Sequence, residues 1–382
     1  MNSRFSLFFM ACIVFCIAGS IMFSPVAGLI PDELVVDYGQ DSLQQHNTST
    51  PIGVLVMQSG FVSDIGTEYS RAFSLAAKDV PGSHISQVIR DAGSNISVAS
   101  MAWKNMSESY PDLPVIVTVA SWTSNTVYPD ASALGMVQVA LGSALINRNN
   151  SPDHLIRFTP GVEQESPVLA TYLEQFNRIV LLGGNNQYTN GYADTFEKLL
   201  PEKTRTISWY NPDDPKSTLN ISEIREADPD AIVLLGFSEV PAVVRVIRDA
   251  GITAPLIGTR GVENNALAAT KEAEGLIFTT PSLNRTNPFF DRYREYYHED
   301  ATFFGAEGYD AMTSLYSAVS TCGNSPDCIC TWYQNQTIDG ALGEVSFDNN
   351  GVASYPITFR AVRNGTFEDV TLPPSVLPDT VE

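Results

Sequence analysis

From Pro51 onward, continuous apolar runs of strand length alternate with stretches of helical period. "IGVLVM" at 52–57 precedes a helical stretch near 67–80, and "SQVIRDA" precedes an amphipathic one around 97–109. "LPVIVTVAS" at 113–121 leads through a polar turn into a short helix, and "GMVQVAL" at 135–141 follows. Beyond a loop come a helix near 163–176, "RIVLLGG", a helix near 190–200, and then "RTISWY", "DAIVLLG", "APLIGT" and "GLIFTTP" as far as residue 281. Strands that are apolar throughout are buried on both faces, as parallel strands between two helical layers are. Their alternation with helices predicts a doubly wound parallel α/β fold. In such sheets ligands bind beyond the carboxyl ends of the strands, so the loops after the strands are the places to search.

One of those loops lies within "RIVLLGGNNQYTNGYADTFEKLL", residues 178–200. Tyr192, Ala193, Phe196, Leu199 and Leu200 fall on one face of the predicted helix, and Thr189 or Asn190 is expected to cap it. Tyr188 then precedes the cap, lies off the apolar face and is free to point at a cleft. The bland alternative is a ring folded back on its own helix.

Composition sets limits. A chain of 382 residues suits two lobes rather than one core, and 44% hydrophobic residues suffice for a packed interior. A formal net charge of −21 repels phosphates and anionic bilayers, so nucleic acid is excluded as a partner class. At the N-terminus, Arg4 precedes an apolar run from Phe5 to Phe23. That run exceeds the ~7–15 residues of a signal-peptide core and approaches the ~20 of a bilayer span. Residues 1–30 are therefore either a signal peptide, cleaved near Ala27 or Gly28, or a retained membrane anchor. Either way the rest is expected outside the cytoplasm, periplasmic or at the cell surface.

Residues 31–50 lack periodicity and are expected as a linker, and 371–382 as a tail. Sequons at Asn47, Asn95, Asn105, Asn149, Asn220, Asn284, Asn335 and Asn364 agree with export. Of Cys322, Cys328 and Cys330, two are expected to pair across the short loop, leaving one over.

The sequence offers little for catalysis. His46, His84, His154 and His298 are scattered, and no zinc-protease, nucleophile-elbow or P-loop spacing occurs. "LLGGNN" lacks the dinucleotide pattern and reads as a tight turn. No catalytic residue, cofactor or metal site is expected.

The order of segments resembles the type I periplasmic binding proteins, specifically the branched-chain amino acid binding family of ABC transporters. The segments are "IGVLVMQSGFVSDIG", "IRDAGSN", "IRFTPGVEQESPVLATYL", "NNQYTNGYADTFEKLL", "DPDAIVLLGFSEVPAVVRVIRDAGITAPLIGT", "GYDAMTSLYSAV" and "LGEVSFDNNGVASYPITFRAVRNGTF". The resemblance runs from about residue 51 to 368. It implies two lobes, 51–157 plus 283–339 and 158–282 plus 340–370. Three crossovers join them, near Arg157–Phe158, Thr280–Leu283 and Asp339–Gly343, and the lobes close on a ligand like a hinged clamp. A monomeric solute-binding protein delivering to a membrane permease is the reading it favours. An anchored sensor ectodomain is the alternative, and a hydrolase on the same fold is a third.

The resemblance also assigns site positions. The family's carboxylate-binding serine falls on Ser121, and its threonine on Ala144, with Ser143 one place before as a substitute hydroxyl. Its binding tyrosine falls on Tyr188, and apolar pocket positions fall on Phe237 and Phe304. Trp122 adds a ring that the family usually lacks. The glutamate that pairs with the ligand's ammonium falls on Arg260, unless the match slips by three residues to Glu263 or Arg260 turns out to solvent. An arginine repels an ammonium and suits an oxyanion, so the expected solute is a carboxylate-bearing or polar molecule without an ammonium group.

Overall fold

The computed structural model describes residues 34–36, 49–80, 85–148 and 153–371. The stretch expected as a signal peptide or anchor, most of the expected linker, the sequons at Asn47 and Asn149, and the tail beyond residue 371 lie outside the described residues.

Strands β1 (Leu34–Val36), β2 (Thr50–Val56), β3 (Ile85–Asp91), β4 (Val115–Val119), β5 (Val137–Leu141) and β6 (Leu155–Arg157) form one sheet in the order β1-β3-β2-β4-β5-β6. All its neighbours are parallel except the antiparallel β1–β3 pair. The stretch expected as a linker therefore contributes an edge strand. Its three-residue "LVV" is too short to show a period.

Strands β7 (Ile179–Gly184), β8 (Thr204–Tyr210), β9 (Ala231–Leu235), β10 (Leu256–Gly258) and β11 (Ile277–Pro281) build the second lobe. Next come β12 (Ile338–Gly340), β13 (Gly343–Phe347) and β14 (Ala353–Ser354), a separate three-stranded sheet. The chain closes with β15 (Ile357–Arg363) and β16 (Thr366–Val370), which complete the second sheet in the order β16-β15-β11-β10-β9-β7-β8. Every residue of β4, β5, β7 and β9 is buried, because helices cover both faces of each sheet. Asn364 and Gly365 turn the last hairpin with φ of 52° and 79°, the left-handed pair that a two-residue turn with strand-like twist requires.

The chain passes from β6 into the second lobe after Arg157 and leaves it after Pro281. The third crossing, expected near Asp339–Gly343, lies beyond Ser354. Val352 bridges to Arg157, Phe347 packs edge-on to Phe158 with ring centroids 5.3 Å apart, and the Asp310 carboxylate accepts from the amides of Ala341 and Leu342 at 2.8 and 2.7 Å. The small sheet thus belongs with the first lobe, and the chain returns to the second at Ile357.

Cys322 and Cys328 form a disulfide, and Cys330 is free and buried. Among the described residues no helix is long and apolar enough to cross a membrane.

Candidate ligand cleft

In the first sheet the chain order reverses at β2, flanked by β3 and β4, and in the second at β7, flanked by β8 and β9. Such switch points leave crevices beyond the strand ends. The loops after β4 and β5 carry Ser121, Trp122 and Ser143, and those after β7, β9 and β10 carry Tyr188, Phe237 and Arg260. The two sets meet. Trp122 packs edge-on to Phe237 with centroids 6.2 Å apart, Asn125 donates to Gln187 Oε1 at 3.2 Å, and the Ser238 hydroxyl bonds to the Asp64 carboxylate.

On the first lobe, Ala120 precedes the helix Ser121–Leu134 with φ of 76° and ψ of 149°, a region that only glycine enters freely. Ser121 is fully buried, and its hydroxyl accepts from the Leu145 amide at a long 3.4 Å. Ser143 does not replace the hydroxyl missing at Ala144. Its Oγ lies 2.6 Å from Ser124 Oγ and donates to the Leu141 carbonyl at 2.9 Å, both inside the lobe. Phe304 packs within the first lobe against Tyr69 and Phe303, at 5.8 and 4.8 Å between centroids. Its neighbour Phe303 is the ring that reaches the other lobe, 5.9 Å from the Arg260 guanidinium.

On the second lobe the helix starts earlier than its apolar period suggests. Asn186 caps the helix Gln187–Leu199 by accepting from the Thr189 amide, and Thr189 returns a bond to the Asn186 amide. Tyr188 therefore sits in the first turn rather than before the cap. Its ring stands 4.6 Å from Phe237 and 4.7 Å from Tyr192, and its hydroxyl bonds with Thr259 Oγ1 at 2.9 Å and accepts from the Gly261 amide at 3.1 Å. A Cβ on Gly261 would lie 2.9 Å from that hydroxyl and 2.5 Å from the Gly236 carbonyl oxygen, so only glycine permits this approach.

Arg260 is neither a free cation nor turned to solvent. It is 2% exposed, its Nη2 donates to the Pro160 carbonyl at 2.7 Å, and its Nη1 stands 2.8 Å from Glu165 Oε2. Burial works against its charge, and Glu165 together with the hydroxyls of Tyr192, Tyr188 and Tyr355 outweighs it, so the net effect raises its pKa. Nη1 is ion-paired with Glu165 but has no hydrogen-bond partner among the described residues. Glu263, the slipped alternative, is fully engaged elsewhere. It accepts from Arg360 Nη1 and from Thr280 Oγ1, each at 2.6 Å.

Three residues of this centre were not singled out in the sequence. Glu165 accepts from the Arg260 amide at 3.1 Å, from Thr279 Oγ1 at 2.5 Å and from the Tyr192 hydroxyl. Glu307 accepts from the Gly142 amide at 2.9 Å, from Thr159 Oγ1 at 2.5 Å and from the Tyr69 hydroxyl. Burial raises the Glu307 pKa, and these bonds oppose it. Tyr355 completes the group. The available signal was a carboxylate on an apolar helix face: Glu165 shares one with Val162, Leu169 and Leu173, and Glu307 shares one with Phe303, Phe304 and Ala311.

A family model described as periplasmic binding protein matches residues 49–366. The chain belongs to that family, whose members are binding proteins rather than enzymes. An extracellular ligand binding receptor from Desulfohalobium retbaense is 32% identical over 84% of this chain with a TM-score of 0.81, and this chain spans 59% of that receptor's length. A leucine binding protein from Thermotoga maritima is 21% identical, covering 86% of this chain and 100% of its own, with a TM-score of 0.74. A solute binding protein from R. palustris, solved with benzoate, is 15% identical over 86% of this chain and 97% of its own, with a TM-score of 0.76. Curated protein sequences gave no match.

Proposed function

We propose that this protein is the extracytoplasmic solute-binding component of an ABC importer. In this reading its two lobes close on a small molecule that carries a carboxylate, or comparable acceptor oxygens, and lacks an ammonium group. The observation that carries the solute class is a pair of buried donor atoms, Trp122 Nε1 on one lobe and Arg260 Nη1 on the other, that have no hydrogen-bond partner among the described residues, although Arg260 Nη1 keeps its ion-pair contact with Glu165. Both atoms only donate. A buried donor left unpaired costs about 1–3 kcal/mol; a solute with acceptor oxygens would remove that cost at Trp122 and give Arg260 Nη1 a hydrogen bond beside its ion pair. The rings of Trp122, Tyr188 and Phe237 would cover an apolar or flat body, which agrees with the benzoate bound by the R. palustris protein.

Delivery to a membrane permease, by a monomer, is part of the same proposal. A second reading, an amino acid ligand, is favoured by Glu307, a carboxylate on the first lobe that could face an ammonium. Against it, three donors already occupy Glu307. Thermal-shift screening of carboxylic acids tests the proposal, because a ligand raises stability by mass action. The best acid should then lose at least tenfold in affinity for Tyr188→Ala. Unchanged affinity would remove Tyr188 from the site.

A further inference from the structure

We propose that Tyr355, on the third crossover between the lobes, is a specificity-determining residue of this cleft whose hydroxyl donates to the ligand's carboxylate. The proposal rests on the carboxylate reading above. Tyr355 lies between β14 and β15, where the chain returns to the second lobe. Its side chain is buried, with 7% of the residue exposed, and its hydroxyl has no hydrogen-bond partner among the described residues. Besides burial, Glu307 from the helix Phe303–Cys322, Arg260 from the second lobe, Glu165 from the helix Val162–Leu173 and Asp310 act on it electrostatically. Tyr355 therefore lies within electrostatic range of the centre that holds Arg260.

Packing alone does not explain this hydroxyl. A phenylalanine would fill nearly the same space without burying an unpaired polar group. Trp122, Arg260 and Tyr355 come from the first lobe, the second lobe and the crossover, and each carries one buried polar atom with no hydrogen-bond partner among the described residues, that of Arg260 being ion-paired with Glu165. A carboxylate has two oxygens and accepts several hydrogen bonds. Held between Arg260 and Tyr355, it would tie the second lobe to the crossover, and Trp122 would join only when the lobes shut. Tyr355 would thus make the fit depend on the closed geometry as well as on the ligand's charge.

The test is titration of the full protein and of Tyr355→Phe with benzoate and with 4-methylpentanoate, which is leucine without its amine. The substitution should weaken binding of the better probe by about tenfold or more, the range expected when a hydrogen bond to a charged group is lost. Without ligand, its melting temperature should be unchanged or raised. An affinity within twofold of wild type, with Tyr188→Ala weakened, would overturn the role of Tyr355 and leave the cleft intact. A lowered melting temperature with unchanged affinity would also overturn it, making the residue structural. If the wild-type protein binds neither probe, the solute class falls and the Tyr355 proposal with it.

Discussion

Replacing Glu165 by glutamine strands a buried cation, and its size can be worked from the contacts. Glu165 is fully buried and Arg260 is 2% exposed, so solvent cannot compensate for the lost charge. Glutamine keeps one oxygen for the Thr279 hydroxyl or the Arg260 amide. Its NH₂ then faces groups that donate, namely the Tyr192 hydroxyl and the guanidinium. Breaking a buried pair by removing one partner costs about 3–5 kcal/mol, most of it the penalty of an uncompensated charge. Glu165→Gln should therefore lose about that much stability, and Arg260→Met a comparable amount. The double variant should lose clearly less than the sum, because it leaves no stranded charge. Denaturant unfolding followed by both tryptophan fluorescence and circular dichroism measures the cycle and checks that the lobes unfold together. A Glu165→Gln loss below about 1 kcal/mol, or single losses that add within about 0.5 kcal/mol, would refute the buried pair.

Two other outcomes follow. Burial pushes the Glu239 carboxyl up to about 7, so the folded state holds a proton that the unfolded chain releases near 4.5. Its contribution is present below the unfolded pKa and is lost as pH rises through 7. Melting temperatures from pH 5 to 8.5 should fall less steeply for Glu239→Gln than for wild type, and parallel slopes would refute this. Ala120 holds a backbone conformation open chiefly to glycine, so Ala120→Gly should raise stability by about 1 kcal/mol or more. A loss in calorimetry would contradict the strain.

The doubly wound fold was legible because β4, β5, β7 and β9 are apolar at nearly every position, and two-sided burial needs nothing else to be seen. The loops carrying Ser121, Tyr188, Phe237 and Arg260 were legible for the same reason, since strand ends locate them. What decides the role of Arg260 was not. Glu165 stands 95 residues away in the chain, and no local pattern joins the two. The start of the helix Gln187–Leu199 was misplaced because its apolar period begins at Tyr192, whereas the Asn186 cap acts through backbone amides. The β1 strand was too short for any period to register, and the third crossing is fixed by contacts of Asp310 and Phe158 with distant residues.

Calorimetric titration of the full protein with leucine and with 4-methylpentanoate compares two ligands that differ only in the ammonium group. Donor-only atoms at Trp122 and Arg260, with a cationic guanidinium in a buried cleft, predict at least tenfold tighter binding of the acid that lacks the amine. Tighter binding of leucine would contradict the account and transfer the ligand's charge partner to Glu307.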